Sequence, residues 1–143
     1  MQERDGLQEV RHVSVSINRP PADVYAFVSS PENLPKWAAG LCKTVRWEGD
    51  ELFGDGGVLG KVRIRLSEPN RLGVLDHDVE LADGRIFHNP IRVLANGGGS
   101  ELTFSVFRQP GFSNEEFAED YGAVEKDLRN LKSMLERAAG VAR

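Results

Sequence analysis

Apolar and polar residues alternate along "RHVSVSIN": Val13, Val15 and Ile17 fall on one side, His12, Ser14 and Ser16 on the other. A period of two marks a strand buried on one face. Pro20 and Pro21 end the run. Pro21 suits the first turn of a helix, where its missing N–H is not needed. Val24, Phe27 and Val28 then share one helical face. "SSPENLPKW" breaks that helix and permits a second short one over Pro31 to Trp37. The stretch from Pro20 to Gly40 is thus predicted to be a helix pair, apolar enough to face a core or to wall a cavity.

Strand-like runs follow, separated by turn signals: "KTVRWEG", "VLGKVRIRLSE", "RLGVLDHDVEL", "RIFHNPIRVL" and "ELTFSVFRQ". Pro69 and Asn70 suit the central positions of a turn, "ADG" the next, and "ANGGGS" the last. The chain closes on "SNEEFAEDYGAVEKDLRNLKSMLERA". Ser113 and Glu116 have the spacing of a capping box, and Phe117, Tyr121, Val124, Leu128, Leu131 and Leu135 form one apolar stripe. The order is strand, two short helices, consecutive antiparallel strands, long helix. It predicts an α+β fold in which a curved sheet grips a helix over 113–138, in a single domain 1–143 with residues 1–8 flexible.

Composition narrows the function. The 143 residues are 40% hydrophobic and 28% charged, the balance of an ordinary soluble globule. The net charge of −4, with no basic block, argues against nucleic acid as a partner. Cys42 is the only cysteine, so no internal disulfide can form, which fits a reducing compartment. "MQERDGLQEV" carries no apolar run of the signal-peptide type, and no stretch approaches the ~18 apolar residues of a membrane span. A cytoplasmic protein without stable membrane insertion is expected. His12, His77 and His88 fall on different strands or faces and Cys42 has no CxxC partner, so neither a metal nor a cofactor is expected. "DGGVLG" and "NGGGS" match no phosphate-binding pattern and read as turns.

Strand register shows which side chains point inward. A two-residue turn at Pro69-Asn70 would set Ile64 opposite Leu75 and Val62 opposite His77, with Arg63 facing Asp76 and Lys61 facing Asp78 on the reverse side. A three-residue loop at Ala82-Asp83-Gly84, with Gly84 left-handed, sets Val79 opposite Phe87, His77 opposite Asn89 and Leu75 opposite Ile91. Ile91 then faces Phe104, and Asn89 faces Val106. The inner face reads Val62, Ile64, Leu75, His77, Val79, Phe87, Asn89, Ile91, Phe104 and Val106. Two adjacent polar groups, His77 and Asn89, in an apolar field have the composition of a small-molecule pocket. His88 falls outside, opposite Asp78.

The alternating first strand, "INRPPADVYAFVSSPENLPKWAAG", the sheet, "GSELTFSVFRQPG" and the capped terminal helix resemble the START-like (SRPBCC) superfamily, and within it bacterial polyketide cyclase/dehydrase-type proteins. The resemblance covers nearly the whole chain. It implies a helix-grip fold with a deep cavity between sheet and long helix. The superfamily holds lipid carriers, hormone receptors, cyclases and co-chaperone domains, so the fold alone does not choose among them.

The expected function is therefore binding of a small apolar or amphipathic molecule inside the grip, with Trp37 at the mouth and Phe117 and Tyr121 on the helix wall beside the inner-face residues. A cyclase/dehydratase would use His77 as its acid–base group, with Asn89 or Tyr121 orienting a carbonyl. The alternative role for His77 is a satisfied buried histidine. A protein-interaction module of the Hsp90-activator type would instead expose apolar surface. A homodimer is compatible with all three.

Overall fold

The computed structural model describes residues 6–38 and 41–140. Residues 1–5 of the stretch expected to be flexible, and Gly40 at the end of the helix pair, lie outside them. Gln8, inside that stretch, is held: its side-chain amide donates to the Arg108 carbonyl over 3.0 Å.

The alternating first run forms β1 (Val10–Ile17), and the proline-flanked segment folds as α1 (Pro21–Val28), a 3₁₀ turn (Pro31–Asn33) and α2 (Leu34–Trp37). β2 (Val45–Glu48), β3 (Glu51–Asp55), β4 (Lys61–Leu66), β5 (His77–Glu80), β6 (Ile86–Asn89), β7 (Ile91–Asn96) and β8 (Gly99–Phe107) follow, then α3 (Asn114–Gly140). Every strand pairing is antiparallel. One sheet runs β1-β8-β7 and the other β2-β3-β4-β5-β6. The long helix packs on β1 and β8 with its apolar stripe, of which Phe117, Leu128, Leu131 and Leu135 are buried. This is the predicted helix-grip architecture. The capping box is formed: the Glu116 N–H donates to Ser113 Oγ over 3.1 Å, and the Ser113 N–H donates to Glu116 Oε1 over 2.8 Å.

Three strand expectations need correction. "RIFHNPIRVL" is two strands. Pro90 has no N–H for a ladder, and the chain changes sheets there, β6 pairing with β5 and β7 with β8. The short strand β3 had no place in the expected order. It pairs with β4 through Leu52↔Ile64 and forms the middle of the hairpins between β2 and β4.

The third correction concerns β4 and β5. Ile64 pairs with Val79 rather than Leu75, and Leu66 rather than Val62 pairs with His77. The shift is four residues, because no two-residue turn forms at Pro69-Asn70. Asn70 instead organises a wide loop. Its Nδ2 donates to the Glu68 and Val74 carbonyls, its Oδ1 accepts from the Leu72 and Val74 N–H groups, and its own N–H donates to the Tyr25 hydroxyl. Gly73, at φ 73°, lets the loop press onto β7; a Cβ there would sit 2.3 Å from the Val93 carbonyl oxygen. The expected charge pairs change with the register. Arg63 binds Glu80 and Glu51, Lys61 binds Glu48, and Asp76 binds Arg92. An even shift leaves every side chain on its own face, so the inward set survives the wrong register.

Candidate functional site

The hairpin β5–β6 carries the polar centre of the grip. Its register is the expected one, His77↔Asn89 and Val79↔Phe87, around a loop in which Gly84 has φ 93°. His88 lies outside and pairs with Asp78. His77 is only 4% exposed. The Asn89 amide Nδ2 donates to His77 Nε2 over 3.2 Å, a contact that the neutral ring satisfies. Phe104 of β8 meets the imidazole edge-on, centroids 6.3 Å apart. Burial drives the His77 pKa down to about 4; smaller opposing effects come from the Leu75 backbone and from Asp78 and Asp76. At neutral pH the ring is uncharged.

A cavity of about 190 Å³ opens beside this pair. Val79, Phe87, Phe104, Val106 and Phe107 supply apolar wall from the sheet, Trp37, Ala38 and Leu41 from α2 and the residues after it, and Asp120, Ala123, Val124 and Asp127 from α3. Leu59 and Gln109 complete the lining. Leu59 and Ala123 are solvent-exposed as well, which marks the mouth. Trp37, expected at the mouth, is instead interior at 3% exposure, and its buried indole N–H has no acceptor among the described residues. Burial raises the carboxyl pKa of Asp120, and that of Asp127 to about 6, the latter against a small opposing effect of Lys126.

Of the side chains expected inside, Trp37, His77, Val79, Phe87, Asn89, Phe104 and Val106 line this cavity. Val62, Ile64 and Ile91 do not; they are closed core, at most 2% exposed. Leu75 is core too, beside a separate small void under Tyr25 and Leu34. Phe117 and Tyr121 also fall outside the lining. They pack on each other in a T-shape at 5.2 Å, with the Arg11 guanidinium 4.3 Å over the Tyr121 ring.

Helix geometry explains the exchange. At about 100° per residue, Asp120, Asp127 and Ala123 lie about 60°, 80° and 120° round α3 from Phe117, while Tyr121 lies about 40° round the other way. The apolar stripe packs down on β1 and β8, and the cavity sees its flank. The missed residues Asp120 and Asp127 stand a heptad apart on that flank. That spacing is readable in sequence once the stripe is no longer taken as the wall.

Among the described residues no group of His, Cys, Asp and Glu could hold a metal ion, and no helix is long and apolar enough to cross a membrane. Cys42 is buried, and burial, with Asp55 nearby, raises its thiol pKa to about 11.

A curved antiparallel sheet closed over one long helix, with an apolar cavity between them, defines a helix-grip protein of the START-like class. Residues 10–136 match the family described as polyketide cyclase / dehydrase and lipid transport, and the chain belongs to that family. No curated protein matches it by sequence. Among solved structures it is similar to DynU16, a protein of the dynemicin biosynthetic locus, at 18% identity and a TM-score of 0.67, over 89% of this chain but 47% of that one. It is also similar to XoxI from Bacillus cereus (16% identity, TM-score 0.67, 88% of this chain and 94% of that one) and to Ara h 8.0201 (14%, 0.63, 90% and 98%). At such identities the likeness is one of fold.

Proposed function

We propose that the protein binds a small apolar or amphipathic molecule in the cavity between β5, β6, β8 and α3. The observation that carries this reading is a mostly apolar cavity with one buried, neutral, hydrogen-bonded His77–Asn89 pair on its wall. Such a composition holds a ligand by burial and orients it by few directional contacts. The volume of about 190 Å³ sets the scale. A cavity of roughly 150 Å³ accepts benzene, so one or two rings fit and a long lipid chain does not.

The Asn89 amide oxygen supplies an acceptor that makes no hydrogen bond to another described residue. Family membership is consistent with carriage or with cyclase chemistry. The state of His77 favours carriage: an imidazole held neutral, with Nε2 already accepting from Asn89, is a weak base and a good positioning group. Of the large exposed apolar residues, Trp47 and Ile86 stand on opposite edge strands of one sheet, and only Leu72 and Leu94 come together, flanking the Gly73–Val93 backbone contact; so small a patch gives the interaction-module reading little support.

Native mass spectrometry of the purified protein, with calorimetric titration of ring-sized molecules, tests the reading. Ala123→Trp at the exposed mouth should block entry without disturbing the core. Binding that persists in this variant would place the ligand elsewhere. His77→Ala should weaken binding in a carrier; a cyclase relying on it as a base would lose on the order of a hundredfold in turnover.

A further inference from the structure

The two walls of the cavity differ in charge. The sheet wall is neutral. The α3 wall carries Asp120 and Asp127, and among the described residues no Lys or Arg lines the cavity. Among the described residues neither carboxylate makes a hydrogen bond or an ion pair; only the adjacent Lys126 partly offsets Asp127. Both are partly buried. A carboxylate drawn partly out of water without a partner is unfavourable by itself and improves when a cation is brought beside it. Burial raises the pKa of both, as expected for anions without a counter-charge.

Opposite these acids the cavity is walled by the rings of Phe87 and Phe104 and by the neutral His77–Asn89 pair. The cavity thus presents apolar rings on one side and, on the helix that borders its mouth, two carboxylates without a partner among the described residues.

We infer, building on the ligand-binding reading above, that the ligand is a small ring-bearing amine, its apolar ring enclosed and its protonated nitrogen beside Asp120 and Asp127. The acids stand two helical turns apart, about 10 Å along the axis, so one ammonium group contacts one of them while the other adds longer-range attraction. A carboxylate ligand of the same size meets like charge from both and is disfavoured.

Three probes of one shape separate the terms: naphthylmethylamine, naphthylmethanol and naphthoate, titrated calorimetrically into the intact protein at pH 8 and low salt. The amine should bind about tenfold more tightly than the alcohol, an advantage within reach of two partly desolvated carboxylates, and naphthoate should bind weakest. Asp120→Asn with Asp127→Asn should erase the amine's advantage over the alcohol. Asp127→Lys should reverse the order toward naphthoate. Unchanged thermal melts confirm that these variants fold. If amine, alcohol and acid bind alike, or if the amine's advantage survives in the double variant, the charge assignment is overturned and the pocket reading stands. If none of the three binds, both are overturned.

Discussion

The hairpin β5–β6 and the helix α3 face each other across one cavity and differ in chemistry. On the hairpin, His77 and Asn89 are held by strand pairing, share one hydrogen bond, and carry no charge at neutral pH. On α3, Asp120 and Asp127 are charged, unpaired and near the mouth. The first wall is built from the interior outward, so polar groups survive there only by pairing. The second is the flank of an amphipathic helix, where the boundary between core and solvent passes through the cavity. On the proposed reading, the polar pair of the hairpin positions a ligand and the charges of the helix select it.

The comparison breaks most directly at its two polar centres. His77→Ala strips Asn89 of its partner and leaves a void in the apolar wall, and should cost about 3 kcal/mol in urea unfolding. Asp127→Asn, on the other wall, should leave stability at pH 7 unchanged or raised, because it removes a partly buried charge with no ion-pair partner. Equal losses for the two would erase the distinction.

Acid titration sharpens it. His77 has a folded pKa of about 4 against an ordinary 6.5, so the stability it contributes is full above 6.5 and is lost as pH falls toward 4. Asp127, raised from 3.8 to about 6, acts in the opposite sense: it favours the fold at low pH, and that contribution is lost as pH rises through 6. The two offset each other between pH 4 and 6.5. Asp127→Asn should steepen the loss of stability on acidification and His77→Gln should flatten it, by a kcal/mol or so over this window. Parallel pH profiles for both variants would contradict the assignment.

A smaller effect is expected at the start of α3. Ser113→Ala removes the cap that receives the Glu116 N–H and should lower stability by about 1 kcal/mol. It acts on the helix wall alone, so the hairpin's chemical shifts should not move. The smallest effect belongs to Trp37→Phe. Losing an N–H that has no acceptor among the described residues should change stability by less than about 1 kcal/mol, of either sign. A loss of several kcal/mol would show that the N–H is bonded within the protein.

The sheet was legible because alternation survives errors. His77 beside Asn89 follows from a short loop whose glycine must be left-handed, and the structure keeps it. The connection before it was misread because Pro69-Asn70 has the residues of a tight turn, while the side chain of Asn70 spends its donors and acceptors on a wider loop. Only a register shifted by an odd number would have turned the inner face outward. The helix wall was legible as a helix and misread as a wall. An apolar stripe says which face is buried, not which part of that face has a neighbour and which borders empty space; that is decided by the curvature of the sheet, which no local pattern encodes. Asp120 and Asp127 were not singled out from the sequence for that reason.

The single thiol has a practical consequence. Cys42 is 1% exposed, and a pKa near 11 leaves almost none of it as thiolate at neutral pH. The chain should therefore tolerate air and maleimide reagents without a protecting reductant. A cysteine introduced at Leu94, on the exposed face of β7, would be the only one to take a label. One fluorophore or spin probe could then report on ligand entry without first deleting the native residue, whose place in the core a substitution would disturb.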